Sequence, residues 1–300
     1  MKFRQSLLFI GFLVLTLSAC KDEIERPTGD YIPPPSEENN DDDPNTGGDL
    51  LPDIDLSGWK VTLPIGDPTE VHPPEILDYA NNSLLKDFMY NDGSDGSLVF
   101  YTYPGASTAN SSYSRTELRE LLPPYDGKTN WTFPEGGRMK GTLKMDEISK
   151  DDDGDYHRTI IMQIHGRLTD EQRDLIGEDD NNAPPMLKIY WRDGYVRVHT
   201  KVLNDLDATY EEMLETSAWG NATAVNFDEY VGFEPFTLEV IASDGRMEIT
   251  LNDEQTLVYD DIHMEKWNVF TNYFKAGNYL SSQDPDAFAR VKYYDLEVSH

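Results

Sequence analysis

Cysteine is almost absent from this chain. Cys20 stands alone in 300 residues, so no intrachain disulfide can brace the fold. Positive charge is also scarce: 25 Lys and Arg face 56 Asp and Glu, for a formal net charge of -31. A chain this acidic lacks the basic footprint of general nucleic-acid binding. Residues 1–50 hold four basic and ten acidic side chains, so most of the acidity lies beyond them. The N-terminal apolar stretch, residues 7–17, falls well short of the ~20 residues a membrane-spanning helix needs. Several catalytic signatures are missing. There is no Gly-x-Ser-x-Gly nucleophile turn and no His-Glu-x-x-His metal motif. No Glu-x-Asp-x-x-Glu run supplies the paired carboxylates of a glycosidase on one strand. Helix–strand alternation and internal repeats are lacking too.

The lone cysteine takes its meaning from its position. Lys2 and Arg4 precede the apolar run, and Leu17-Ser18-Ala19-Cys20 follows it. This arrangement resembles the bacterial lipoprotein signal, in which the cysteine becomes the lipidated first residue. The resemblance implies a signal peptide over residues 1–20, lipidation at Cys20 and attachment to a membrane through several acyl chains. It points to an outer membrane lipoprotein facing the periplasm or the cell surface. Lys21-Asp22-Glu23 resembles the acidic surface-export signal of some Gram-negative lipoproteins. Residues 21–50 carry three consecutive prolines from Pro33, the run Asn39-Asn40-Asp41-Asp42-Asp43, and Gly47-Gly48. Such a composition cannot bury enough apolar surface to fold and reads as a tether.

Residues 51–300 are different in kind. Hydrophobic residues make up 38% of the chain, with 17 Tyr and 5 Trp, enough for a packed core. Short runs rich in β-branched and aromatic residues recur between turn signals. They begin with Leu56-Ser57-Gly58-Trp59-Lys60-Val61-Thr62-Leu63-Pro64 and continue to residues 290–298. Asp193-Gly194 and Asp244-Gly245 sit where hairpin turns belong. Residues 75–86 read as a short helix, and residues 170–182 as a polar surface loop. The pattern predicts one all-β domain, a β-sandwich or jelly roll.

Three stretches carry the chemistry. In Arg115-Thr116-Glu117-Leu118-Arg119, strand alternation puts Arg115, Glu117 and Arg119 on one face. Two guanidinia flanking a carboxylate form an anion rail or, equally, a solvated face with cross-strand ion pairs. In Ile160-Ile161-Met162-Gln163-Ile164-His165-Gly166, Gln163 and His165 share the face opposite the apolar residues. Histidine is suited to proton transfer near neutral pH, although a structural pair fits the pattern as well. In Tyr273-Phe274-Lys275-Ala276-Gly277-Asn278-Tyr279, Tyr273 and Lys275 share a face, and Gly277 is expected to form a turn that returns Tyr279 to it. Together these supply an anion clamp, a hydrogen-bond donor, a base and an acid. That set fits β-elimination from a uronate polymer, in which neutralising the carboxylate stabilises the enolate-like intermediate by roughly 3–4 kcal/mol per well-placed donor. Four carboxylates around Gly154 (Asp151, Asp152, Asp153 and Asp155) lack the rest of a calcium-loop pattern and read as a solvated turn.

These three stretches, in this order, resemble the signature motifs of the alginate lyases of polysaccharide lyase family 7, and residues 56–64 resemble that family's first strand. The resemblance spans essentially residues 51–300. It implies a jelly roll of two antiparallel sheets with a concave groove, alginate as the anionic partner, no cofactor and no catalytic metal. It assigns Arg115 and Gln163 to neutralising the substrate carboxylate and His165 to the base for guluronate. Tyr279 becomes the acid and, for mannuronate, the base as well. Glu117, Arg119 and Lys275 would hold neighbouring sugars or position catalytic groups. Isoleucine between Gln163 and His165 goes with action on guluronate-containing blocks. The third motif continues Leu280-Ser281-Ser282-Gln283, a departure from the pattern that touches rim contacts. An endo-acting monomer is expected. Alternatives are a non-catalytic glycan-binding lipoprotein and a lyase for another polyuronate. For Tyr279 to serve as a base, Arg115 or Lys275 is expected to lower its pKa. Arg115, Arg119 and Lys275, joined by Lys188 or Arg197, are expected to make the groove basic on an acidic body.

Overall fold

A computed structural model describes residues 51–107 and 111–300. The expected signal peptide, Cys20 and the 21–50 tether lie outside the described residues, as does part of the loop before residue 112. The strands in chain order are β1 (Asp53–Ile54), β2 (Trp59–Leu63), β3 (Thr69–Val71), β4 (Met89–Asp92), β5 (Ser97–Thr102), β6 (Arg115–Glu120), β7 (Gly137–Ile148), β8 (Thr159–Arg167) and β9 (Asn182–Arg192). They continue with β10 (Tyr195–Leu203), β11 (Trp219–Asn221), β12 (Val225–Tyr230), β13 (Phe236–Ser243), β14 (Arg246–Leu251), β15 (Gln255–Tyr259), β16 (Thr271–Leu280) and β17 (Ala289–Ser299).

Two sheets result. The eight-stranded sheet runs β15-β14-β13-β7-β17-β5-β4, with β1 added in parallel to β17. The nine-stranded sheet runs β11-β10-β9-β8-β16-β6-β2-β3, with β12 also pairing with β10. All other pairings are antiparallel, as the sequence predicts for a jelly roll. Alternating residues from both sheets fill the space between them: Leu118, Met162, Ile164, Phe274 and Ala276 from one side, and Phe100, Met139, Val291 and Tyr293 from the other, are all buried.

The turns follow local chemistry. Asp193 and Gly194 both adopt positive φ, 53° and 81°, the geometry a two-residue hairpin between β9 and β10 requires. Three expectations are corrected. Residues 75–86 hold only a 3-10 turn, Glu75–Asp78, followed by further turns. The polar 170–182 segment contains a helix, α1 (Asp170–Ile176), closed by a reciprocal cap between Thr169 and Gln172. Gly277 makes no turn: β16 runs unbroken through it, with a bulge against β8 between Ala276 and Tyr279. Its φ is 130°, and an added Cβ would lie 2.7 Å from the Thr116 carbonyl oxygen and 3.1 Å from the Glu117 Cα, so glycine is required there.

Candidate active site

The three motif strands are neighbours: β8, β16 and β6 lie side by side in the middle of the nine-stranded sheet. From Met162 onward in β8, and for the motif residues of β6 and β16, alternation aims the odd-numbered side chains at the groove and the even-numbered ones at the core. A bulge between Ile160 and Met162 corrects the expected core position of Ile160, placing Ile161 in the core and Ile160 against Tyr279. Register aligns the groove-facing side chains across the strands. Lys275 lies opposite both Gln163 and Arg119, Tyr273 opposite His165, and Tyr279 opposite Arg115. On the core side, the buried Glu120 carboxylate accepts from Trp131 Nε1 (3.1 Å) and the Phe274 N–H (2.9 Å), and pairs with His300 Nε2 at 2.6 Å.

Glu117 organises the centre. It is 1% exposed and takes a hydrogen bond from the Gln163 side-chain amide and an ion pair from the Lys275 ammonium. Arg115 NH1 lies 3.5 Å from the same carboxylate. Burial pushes the Lys275 ammonium down to about 8, with Glu117 acting against that fall. A single anion therefore holds three donors that face the groove.

Arg119 is spent on architecture. Its NH1 donates to the Glu120 carbonyl (2.8 Å), and its NH2 to the Gly127 carbonyl and Asn130 Oδ1 (2.9 Å each). Its guanidinium covers the Tyr273 ring at 4.1 Å. Tyr273 in turn stacks on His165, with centroids 5.2 Å apart and planes 14° from parallel. His165 Nδ1 is 2.9 Å from the Gly166 carbonyl. A carbonyl only accepts, so Nδ1 carries the proton and Nε2 keeps a lone pair. Burial, with the Lys275 ammonium beside it, pushes the imidazole down to about 3. The ring is thus neutral and can accept a proton at ordinary pH.

Tyr279 lies on the other side of Lys275. Arg115 sits over its ring at 4.0 Å, and its hydroxyl meets the Ser111 hydroxyl. The expected lowering of its pKa is corrected: burial raises it, Arg115 opposes the rise without reversing it, and Lys275 is not among the causes. The phenol is held protonated, ready to donate.

These residues floor a groove of about 630 Å³. Eight Lys and Arg line it, from Lys60 through Arg167 and Lys188 to Lys201, against three carboxylates. The groove is therefore basic on an acidic body. Lys188 lines it as expected. Arg197 does not: it donates to Asn226 Oδ1 at 2.9 Å on β12. Sequence reasoning missed Ser111, which precedes β6 in a segment without strand periodicity. It also missed Lys60, Arg167 and Lys201, of which Lys60 was legible from alternation with Trp59 and Val61.

A family profile described as alginate lyase matches residues 54–300. Among solved structures, alginate lyase A1-II', a member of polysaccharide lyase family 7, is 30% identical with a TM-score of 0.63, covering 82% of this chain and 96% of its own. The family 7 alginate lyase AlgAT5 is 25% identical with a TM-score of 0.60, covering 84% and 99%. An alginate lyase from Pseudomonas aeruginosa, 23% identical with a TM-score of 0.62, shares the fold over 82% and 99%. No curated protein matches.

Proposed function

This chain belongs to the alginate lyases of polysaccharide lyase family 7, a family of polysaccharide-cleaving enzymes, and from that premise we propose that it cuts within alginate chains and favours guluronate-containing blocks. The observation that carries the reading is the placement of a neutral imidazole and a protonated phenol on either side of Lys275, with Arg115 and Gln163 beside them.

Arg115 and the second N–H of the Gln163 amide neutralise the carboxylate of the bound uronate. The C5 proton then becomes acidic enough to remove, because the negative charge that develops is spread onto a carboxylate already held by donors. His165 Nε2 takes the C5 proton of guluronate. The electron pair forms the C4–C5 double bond as the C4–oxygen bond breaks, and Tyr279 gives its proton to the departing oxygen. No water is consumed, and the new non-reducing end is a 4,5-unsaturated uronate. For mannuronate, Tyr279 takes the C5 proton as well, which requires the substrate and Arg115 to lower its proton affinity. Glu117 holds Gln163 and Lys275 in place, and Arg119 acts through Tyr273. Endo action draws support from the extent of the groove. Its lining reaches from Glu70 on β3 to Lys201 on β10, six strand spacings or about 29 Å, on both sides of the reacting centre.

The reading also takes residues 51–300 as a monomeric catalytic domain, with 21–50 as its tether and Cys20 as a lipid anchor in the outer membrane, supported by the basic, apolar and small-residue order of residues 1–20. Separate incubation with polyguluronate and polymannuronate, followed by ultraviolet absorbance of the new double bond, tests the activity. Faster absorbance growth on polyguluronate with mixed oligomer products is expected. Inactivity on both polymers with retained binding would leave a glycan-binding protein instead. Membrane fractionation of the full chain and its Cys20→Ser variant tests the anchor.

A further inference from the structure

The His165 tautomer depends on a carbonyl whose second acceptor site would ordinarily be occupied. Asn272, opposite Gly166 in the β8–β16 ladder, exchanges its own N–H and C=O with Trp131 (2.6 and 3.1 Å). The Asn272–Gly166 pair therefore shares no backbone bonds, and Gly166 turns its N–H and C=O toward β9. There the register shifts between the pairs His165–Pro185 and Arg167–Asn182, so Ala183 and Pro184 both lie opposite Gly166. Pro184 is close: a Cβ built on Gly166 would come 2.9 Å from its carbonyl oxygen. At such a bulge both residues normally aim an N–H at the facing carbonyl. Ala183 supplies one, as the Arg167–Asn182 pairing requires, but proline has none to fill the second lone pair. The imidazole Nδ1–H takes that place at 2.9 Å.

We infer that Pro184 is a positioning residue for His165: by withholding a second N–H from the Gly166 carbonyl, it leaves the remaining lone pair of that oxygen to the imidazole Nδ1–H and so keeps Nε2 as the proton-accepting atom in the groove. The inference rests on the proposed role of His165 as the base. Tyr273 fixes the plane of the ring, and the carbonyl fixes which nitrogen is free. Pro185, the next residue, pairs with His165, which faces β16 with its backbone groups, so Pro185 has no such duty.

The test is Pro184→Ala in the full chain, with Pro185→Ala as a control. Nitrogen-15 NMR of histidine-labelled protein reads the His165 tautomer without substrate, so it is independent of whether the chain cleaves alginate. Wild type should show Nδ1–H. Pro184→Ala should move the ring toward Nε2–H and lower kcat on polyguluronate by at least about tenfold, with KM unchanged. Pro185→Ala should keep Nδ1–H. An Nε2–H ring in wild type overturns the inference even if Pro184→Ala does not fold. So does a kcat loss in Pro184→Ala without a tautomer change, or an equal change in Pro185→Ala. A wild type that turns over neither polymer sinks the function instead and leaves the spectrum to decide the tautomer.

Discussion

Replacing His165 by Asn separates burial from chemistry at the base. In the folded protein the imidazole takes a proton only near pH 3, against the ordinary 6.5. Between these values the unfolded chain binds the extra proton. The stability tied to the neutral ring is therefore complete above 6.5 and is lost as pH falls toward about 3. At about pH 4 the full difference would cost wild type about 3 kcal/mol, and the partial exposure of the ring reduces that to about 2 kcal/mol. Asparagine can still hydrogen-bond the Gly166 carbonyl but cannot titrate. The variant should therefore gain about 2 kcal/mol on wild type between about pH 7.5 and about pH 4. Other carboxylates titrate in both proteins and cancel in the comparison. Urea unfolding followed by tryptophan fluorescence reads this directly, since all five tryptophans are buried. A gap between the two proteins that is the same at both pH values would refute the argument. In wild type, kcat/KM on polyguluronate should likewise show no acid limb near 6.5.

Other substitutions probe other parts. Tyr279→Phe should lower kcat on both polymers by about 10²–10⁴ while leaving substrate affinity and the unfolding midpoint in place, as judged by the absorbance assay and by calorimetry. Glu117→Ala leaves the Lys275 ammonium buried without its anion and should destabilise by about 3–5 kcal/mol in urea. Lys292, on β17 in the far sheet, is surrounded by Asp92, Asp95 and Asp146, at 2.5, 3.1 and 3.5 Å. Burial acts to lower its proton affinity, but the hydrogen bonds it donates to Asp92 and Asp95 win and raise it. Lys292→Met should lower the melting temperature, with a loss of about 2 kcal/mol, and leave lyase activity as in wild type.

Alternation made the site legible in sequence: a period of two assigns Arg115, Glu117, Arg119, Gln163, His165 and Lys275 to faces without knowledge of their partners. The strand order that joins the faces was not legible, since pairing between β6 and β16 links residues some 160 positions apart. Nor was the use to which each cation is put. Arg119 and Arg115 look alike in the motif, yet loop residues 127 and 130 claim the first and leave the second over Tyr279. Gly277 read as a turn because glycine signals turns, whereas here it serves a close approach to β6. The helix after Thr169 was hidden by polarity: its cap, Thr169 with Gln172, was present, but the apolar stripe was too short to register. The rise in the Tyr279 proton affinity depends on burial by neighbours that no local pattern reveals.

The contrast between the basic groove and the acidic body also bears on how a polymer arrives. A long polyanion drifting past the flanks is repelled almost everywhere and attracted along one channel. Its encounters are thus filtered by orientation before any sugar is gripped, and a cut fragment that leaves the channel is pushed away from the remaining surface. Such steering reaches only about one Debye length, roughly 8 Å at physiological ionic strength, so added salt weakens the attraction and the repulsion together. Capture should therefore depend on salt less steeply than the count of groove cations alone suggests, because each screened attraction is accompanied by a screened repulsion.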